Sequence, residues 1–316
     1  AAYGDMSKAN PYYAKLRKVV DIKEDGSYSM DMSYFIYHYA DRMPSKKLCK
    51  LLGGPVTKRD SEMTQKHKDI AAALQLILEE ILNKIFNHVH KVTGSDNIVF
   101  SGGVALNSVF NGKILRNTSF KSIWIQPNAS DGGTSIGVAS YIYHTILGNE
   151  RNYQLKDAYL GPEYSTEKIL RFLNKNKINY SVFKTKKELT KNVAKLIYDN
   201  NVVGWFQGRM EWGPRALGNR SILANPSNPD AKALLNTKVK HREKFRPFAP
   251  VICEEDTLKY FECDSPIPES TDFMLMVYPI KKKWHKKIPS VTHVDGSGRL
   301  QTIRQHQNPL YYNLIK

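Results

Sequence analysis

Apolar positions along this chain change their period several times, and each change marks an element. Between residues 62 and 92, Ile70, Ala73, Leu74, Ile77, Leu78, Ile81, Leu82, Ile85 and Phe86 recur at three- and four-residue intervals. That spacing predicts a long amphipathic helix whose apolar stripe is core. Before it, Tyr12, Tyr13, Leu16, Val19 and Val20 suit a short helix, Gly26-Ser27 marks a turn ahead of residues 28–32, and Gly53-Gly54-Pro55 is a loop. After it, residues 97–100 and 122–126 are short apolar runs that predict buried strands. Residues 144–165 turn polar and read as a linker. A helix over 166–175, a strand over 180–183, a helix over 189–200 and a strand ending at Val202-Val203 follow. Residues 251–252 and 273–279 read as further strands. Helix and strand segments alternating on this scale predict an α/β protein.

Two strand-to-helix turns are rich in glycine. The first strand leads into Ser101-Gly-Gly-Val-Ala-Leu-Asn107, and the second into Pro127-Asn-Ala-Ser-Asp-Gly-Gly-Thr134. Such turns present free backbone N–H groups to a phosphate or adenosine, and two on neighbouring strands converge where open α/β sheets bind ligands. Asp131 stands where a helix N-terminus favours a carboxylate, and a plain cap explains it equally well.

The densest chemistry lies in residues 204–226, GWFQGRMEWGPRALGNRSILANP. Gly204, Gly208, Gly213 and Gly218 are interleaved there with Arg209, Arg215 and Arg220. Lys240, Arg242 and Arg246 follow in KHREKFRPFAP. Of thirteen arginines, five fall between 209 and 246. Arginine offers forked recognition of phosphate and carboxylate, and glycine lets a backbone approach a ligand closely. A solvated basic face would carry the same charges, but the interleaved glycines favour a pocket for a phosphorylated or nucleotide substrate. Farther on, VTHVDGSGRLQ turns at Asp295-Gly296 and delivers His293 and Arg299 to the two sides of one loop.

Composition narrows the classes. The chain has 316 residues, 41% hydrophobic and 24% charged, enough for two domains with their own cores. No run of eighteen apolar residues and no export signal is present, so no membrane partner is expected. Cys49, Cys253 and Cys263 form neither a metal spacing nor a disulfide framework and suit a reducing cytoplasm. The net charge of +17 raises nucleic-acid binding, yet the surplus is lysine scattered over the whole length without a nucleic-acid-binding motif. His67, His88 and His90 read as surface or capping residues, since two residues apart on a helix is a poor chelate.

The stretches GRMEWGPRALGNRSILANP, KHREKFRPFAP and VTHVDGSGRLQTI, with SGGVALN and PNASDGGTSIGVA upstream, resemble the signature of the O-carbamoyltransferase family of the NodU, CmcH and TobZ type. The resemblance covers most of residues 60–310 and is weakest over 151–200 and 264–288. It implies the second lobe of an actin-like (ASKHA) fold over 1–155, followed by a YrdC-like twisted α/β domain over 160–316. It also implies that the chain is a piece cut at both ends, inactive by itself. Residues 1–5 resemble the interior of a family segment, and 309–316 run into one.

Site residues carried over by the resemblance are Gly102, Gly103 and Asn107, with Thr134 close by, for the adenylate. Arg209, Arg215, Lys240, Arg242, Arg246, His293 and Arg299 are assigned to the phosphate-rich pocket. Asp131 is implied as a ligand of a divalent metal, iron or zinc in the complete protein, alongside Mg with ATP. The two histidines that complete that metal set in the family are missing from this sequence, which puts a metal in this chain in doubt. The implied reaction takes carbamoyl phosphate and ATP to a carbamoyl adenylate, then passes the carbamoyl group to a hydroxyl of a small-molecule acceptor such as a sugar, an antibiotic or another secondary metabolite. Phosphoryl and adenylyl transfer need positioning and charge stabilisation rather than a nucleophilic side chain, which agrees with the lack of a Ser-His-Asp or Cys-His arrangement. A tRNA threonylcarbamoyladenosine-type modification enzyme and a non-catalytic nucleotide-binding module are the alternatives. Salt-dependent tRNA binding would mark the first, and failure to release pyrophosphate the second. A homodimer is left open.

Overall fold

A computed structural model describes residues 1–57 and 61–316. The protein is mixed α/β with small sheets, and it divides into two compact units, residues 1–97 with 114–121, and residues 98–113 with 122–316.

The first unit is built on the helix Gln65–Thr93, the one that the apolar stripe predicts. Thr64 and His67 form its capping box, the Thr64 backbone N–H donating to His67 Nδ1 at 3.1 Å, and Gly94 in the left-handed conformation closes it. His67 is therefore the capping histidine expected. His88 is exposed, and His90 lays its ring edge-on to Phe120. Ala73, Ile77 and Ile81 bury one stripe of the helix against Leu16 and Ile22. Each of Ile77, Ile81, Leu16 and Ile22 so buried contributes roughly 1.5–3 kcal/mol, and Ala73 less. Leu74, read as part of the stripe, is 53% exposed. The short helix is Tyr13–Leu16 and ends before Val20, which instead opens β1 (Val20–Ile22), antiparallel to β2 (Tyr28–Met30).

β3 (Asn97–Phe100) pairs with β4 (Ser122–Ile125); β4 buries Ile123 and Ile125, but β3 is not the buried strand expected, its Val99 being 71% exposed. Next come the helices Thr166–Lys175 and Lys186–Tyr198. The latter starts three residues ahead of the expected bound because the Thr185 hydroxyl accepts from Glu188 N and caps it. No strand forms over 180–183. That segment finds no partner ladder and leaves Val182 75% exposed, so β-branched residues alone do not make it a strand.

The glycine-arginine stretch also differs from its reading. Val203 opens β5 (Val203–Phe206) rather than closing a strand, and β5 pairs antiparallel with β6 (Arg220–Leu223), Phe206 opposite Arg220. Residues 207–219 are thus the loop of a hairpin.

The last sheet has the order β7 (Val251–Cys253), β9 (Ser297–Ile303), β8 (Met276–Pro279), with β7 parallel and β8 antiparallel to β9. The run expected over 273–279 gives strand only from Met276, because residues 269–273 form a 3-10 turn and Met274 takes a left-handed conformation at φ +55°. Val193, Trp205, Cys253, Ile303, Tyr311 and Leu314 form one core beneath these strands.

Candidate functional site

The hairpin loop is organised by a carboxylate that sequence reasoning passed over. Glu211 is buried, and its Oε1 accepts the backbone N–H groups of Leu217 and Asn219, both at 2.8 Å, and of Arg220 at 3.0 Å. Three donors on one carboxyl oxygen fold residues 211–220 back on themselves. Gly218 is required in this turn. Its φ is +106°, and a Cβ there would lie 2.2 Å from the Tyr311 ring. Below the loop, Gln207 donates to Gly218 O at 3.0 Å and Asn308 donates to Asn219 Oδ1 at 2.8 Å. Tyr159 donates to Leu217 O at 3.0 Å, and burial pushes its hydroxyl pKa up to about 12.

From this loop Arg215 reaches inward. Its Nε is buried with no hydrogen-bond partner, and burial lowers its pKa. Arg299, from the middle strand β9, donates Nε to Ser108 Oγ at 3.2 Å. Burial pulls its pKa down to about 10, helped by the charges of Arg215 and then Arg242. Arg242 donates Nε to Asn236 Oδ1 at 2.7 Å and stacks on Phe248 at 4.8 Å. Its pKa is lowered by burial and by Arg246, with Glu243 acting the other way. Among the described residues, none of Arg215, Arg242 and Arg299 forms an ion pair with a carboxylate. Arg299 is repelled by both Arg215 and Arg242, and these half-buried guanidinium groups make a favourable place for an anion.

His293 borders this cluster. Burial lowers its pKa to about 4, against Asp295, which raises it, and with Arg299 and Lys232 also lowering it. Its Nδ1 lies 3.0 Å from Ser297 Oγ, while its Nε2 is buried without a partner.

The two glycine-rich turns meet, as their neighbouring strands led one to expect. Gly102 N–H donates to Ala129 O at 2.8 Å, and Ser101 Oγ to the same oxygen at 3.3 Å. Gly102 has φ +97° with open space where a Cβ would stand, and Gly103 faces Ser130. Asn107 caps the turn Ser108–Asn111, accepting from Phe110 N at 3.1 Å, and so stands next to the serine that holds Arg299. The hairpin loop joins from the other side, Gly213 at φ +116° packing on Pro127 and Asn128.

Other expected residues stand apart from the cluster or are engaged elsewhere. Arg209 is exposed and donates to the carbonyls of Leu160 and Gly161 at 2.9 and 3.0 Å. Arg246 lies close enough to Arg242 to be felt by it but is ion-paired with Glu243 at 2.7 Å. Lys240 is exposed. Thr134 donates its hydroxyl to Asp131 O at 2.6 Å. The Asp131 carboxylate is exposed and supplies one ligand, whereas a metal needs four or more. Among the described residues no group of three or more His, Cys, Asp or Glu side chains could hold a metal ion.

Ser108, Lys232 and Glu211 are the participants that the sequence did not flag. Only Glu211 carried a signal, a lone acid among glycines and arginines.

An arginine cluster without counter-charge beside two glycine-rich turns, on an α/β framework, is suited to a protein that handles phosphorylated, anionic ligands. Comparison with known proteins agrees: residues 2–140 match the model of the carbamoyltransferase N-terminus and residues 194–316 that of the carbamoyltransferase C-terminus. The chain belongs to the carbamoyltransferase family. It is 34% identical over 318 residues to the nodulation protein NolNO of Sinorhizobium fredii, covering 100% of this chain and 44% of that protein. It is 33% identical to NolO of Bradyrhizobium diazoefficiens, covering 100% and 55%. A protein of Synechocystis sp. is 38% identical over 344 residues, covering 100% and 54%. The chain thus spans about half the length of the curated relatives it matches.

Proposed function

We propose that the protein containing this chain is an ATP-dependent O-carbamoyltransferase using carbamoyl phosphate. The observation that carries this reading is the cluster of Arg215, Arg242 and Arg299, half-buried and, among the described residues, ion-paired with no carboxylate. Carbamoyl phosphate and ATP bring four phosphoryl groups to one site, and each charge-assisted hydrogen bond to them contributes roughly 1.5–3 kcal/mol. Carbamoyl phosphate is first cleaved by water to carbamate and phosphate. A carbamate oxygen then attacks the α-phosphorus of ATP, the bond to the β-phosphate oxygen breaks, and pyrophosphate leaves with its electron pair. The arginines stabilise that departing charge. An acceptor hydroxyl next attacks the carbamoyl carbon, AMP leaves, and the hydroxyl proton goes to solvent.

The family models fall in the order expected for an actin-like (ASKHA) lobe over 1–155 and a YrdC-like domain over 160–316. The compact units do not follow that boundary, since residues 98–113 and 122–155 pack with the C-terminal half. That packing supports an adenylate seat at Gly102, Gly103 and Asn107 beside the arginines. Arg209, Lys240 and Arg246 then serve as an outer basic rim, and Thr134 as a helix-entry residue near the adenylate. Asp131 would serve a metal only as a single ligand, the others not being among the described residues. The acceptor is taken to be a small hydroxyl compound, and the protein to work in the cytoplasm.

The test is pyrophosphate release from ATP and carbamoyl phosphate by the full-length protein. Arg242→Ala should lower it roughly 30- to 1000-fold, whereas Asp131→Ala should spare it and abolish the carbamoylated product. Unchanged release from a folded Arg242→Ala protein would refute the reading.

A further inference from the structure

The loop that carries His293 fixes which of its nitrogens bears the proton. Ser297 N–H and Ser297 Oγ both donate to Asp295 Oδ1, at 3.0 and 2.7 Å. A hydroxyl has one hydrogen, and the carboxylate is the stronger acceptor. Ser297 Oγ therefore has only lone pairs to offer His293 Nδ1, 3.0 Å away, so Nδ1 is the N–H. Burial keeps the ring neutral at physiological pH, which leaves Nε2 as a bare lone pair. That lone pair is buried and unpartnered; of the ring's charged neighbours, Asp295 is an anion already engaged by Ser297, and Arg299 and Lys232 are cations. The guanidinium groups beside it are donors only. A free acceptor next to them suits a ligand that carries an N–H or O–H next to its anionic part.

We infer that His293 Nε2 accepts a hydrogen bond from the carbamoyl NH2 group and so distinguishes carbamoyl phosphate from acyl phosphates that lack it, the hydrogen-bond chain from His293 Nδ1 through Ser297 to Asp295 fixing the tautomer that does so. This rests on the carbamoyl phosphate reading above and adds a specificity residue to it. No covalent step is involved. A methyl group in place of NH2 leaves Nε2 buried without a donor, an arrangement in which pockets reject analogues strongly.

Two non-hydrolysable phosphonates of matched shape test this, phosphonoacetamide, which has the NH2, and 2-oxopropylphosphonate, which has a methyl instead. Titration calorimetry on the full-length protein should show the amide binding about 10- to 100-fold more tightly. His293→Ala should bring the two within about threefold of one another. Ser297→Ala should do the same, because free imidazole then carries its proton on Nε2 in most molecules. Equal binding of the two phosphonates by the unaltered protein overturns the inference without any variant. A preference that survives in folded His293→Ala overturns it as well. Failure of phosphonoacetamide itself to bind overturns the carbamoyl phosphate reading, which separates the two failures.

Discussion

Arg299 donates its Nε to Ser108 Oγ at 3.2 Å, across 191 residues of chain. The bond ties the middle strand of the C-terminal sheet to the first glycine-rich turn, one residue past Asn107. Arg299→Ala removes a guanidinium group from the anion cluster and should cut pyrophosphate release by about 100-fold. Ser108→Ala leaves the guanidinium present but untethered and should raise the KM for carbamoyl phosphate about threefold to tenfold, with kcat little changed. Steady-state kinetics of the two full-length variants check this, and an equal loss in both would place the serine in the chemistry itself.

Glu211 should matter for the fold more than any arginine. Glu211→Ala strands three backbone donors and should cost about 3 kcal/mol of stability. Glu211→Gln keeps an acceptor of the same reach and should cost about 1 kcal/mol. Denaturant midpoints of the two variants measure the difference. The arginine loop should become protease-sensitive in Glu211→Ala alone.

Gly218→Ala should be severe for two separate reasons. An L-residue is strained at φ +106°, and its Cβ would meet the Tyr311 ring in the core. A loss of about 3 kcal/mol or more is expected by thermal unfolding. Gly204→Ala, on the neighbouring strand with open space at its Cβ, should cost less than about 1 kcal/mol.

His293 gives a pH signature whose sign follows from its burial. Its pKa is about 6.5 unfolded and about 4 folded, so the unfolded chain takes up the proton first as pH falls. Its contribution is fully present above pH 6.5 and disappears as pH drops through 6.5 towards 4, by roughly 3 kcal/mol in all. Denaturation curves at pH 7 and pH 4.5 should therefore converge for His293→Gln relative to the unaltered protein. Parallel loss in both would show that another group carries the acid sensitivity.

What the sequence determined by itself was local. The helix Gln65–Thr93 follows from an apolar stripe at helical spacing and a cap at each end, and β3, β4 and the helix Thr166–Lys175 follow from short-range signals of the same kind. The long glycine-arginine motifs were also legible, and with them the family. Only the tertiary structure decided that residues 203–223 form a hairpin and that residues 180–183 form no strand, because strand pairing depends on a partner elsewhere in the chain. It also sorted the arginines. Arg209 and Arg215 look alike in GRMEWGPR, yet one donates to exposed carbonyls and the other is buried beside Arg299. Charge type is written in the residue, but whether a charge meets water, a carboxylate or another arginine is set by contacts many residues distant, which no local pattern encodes.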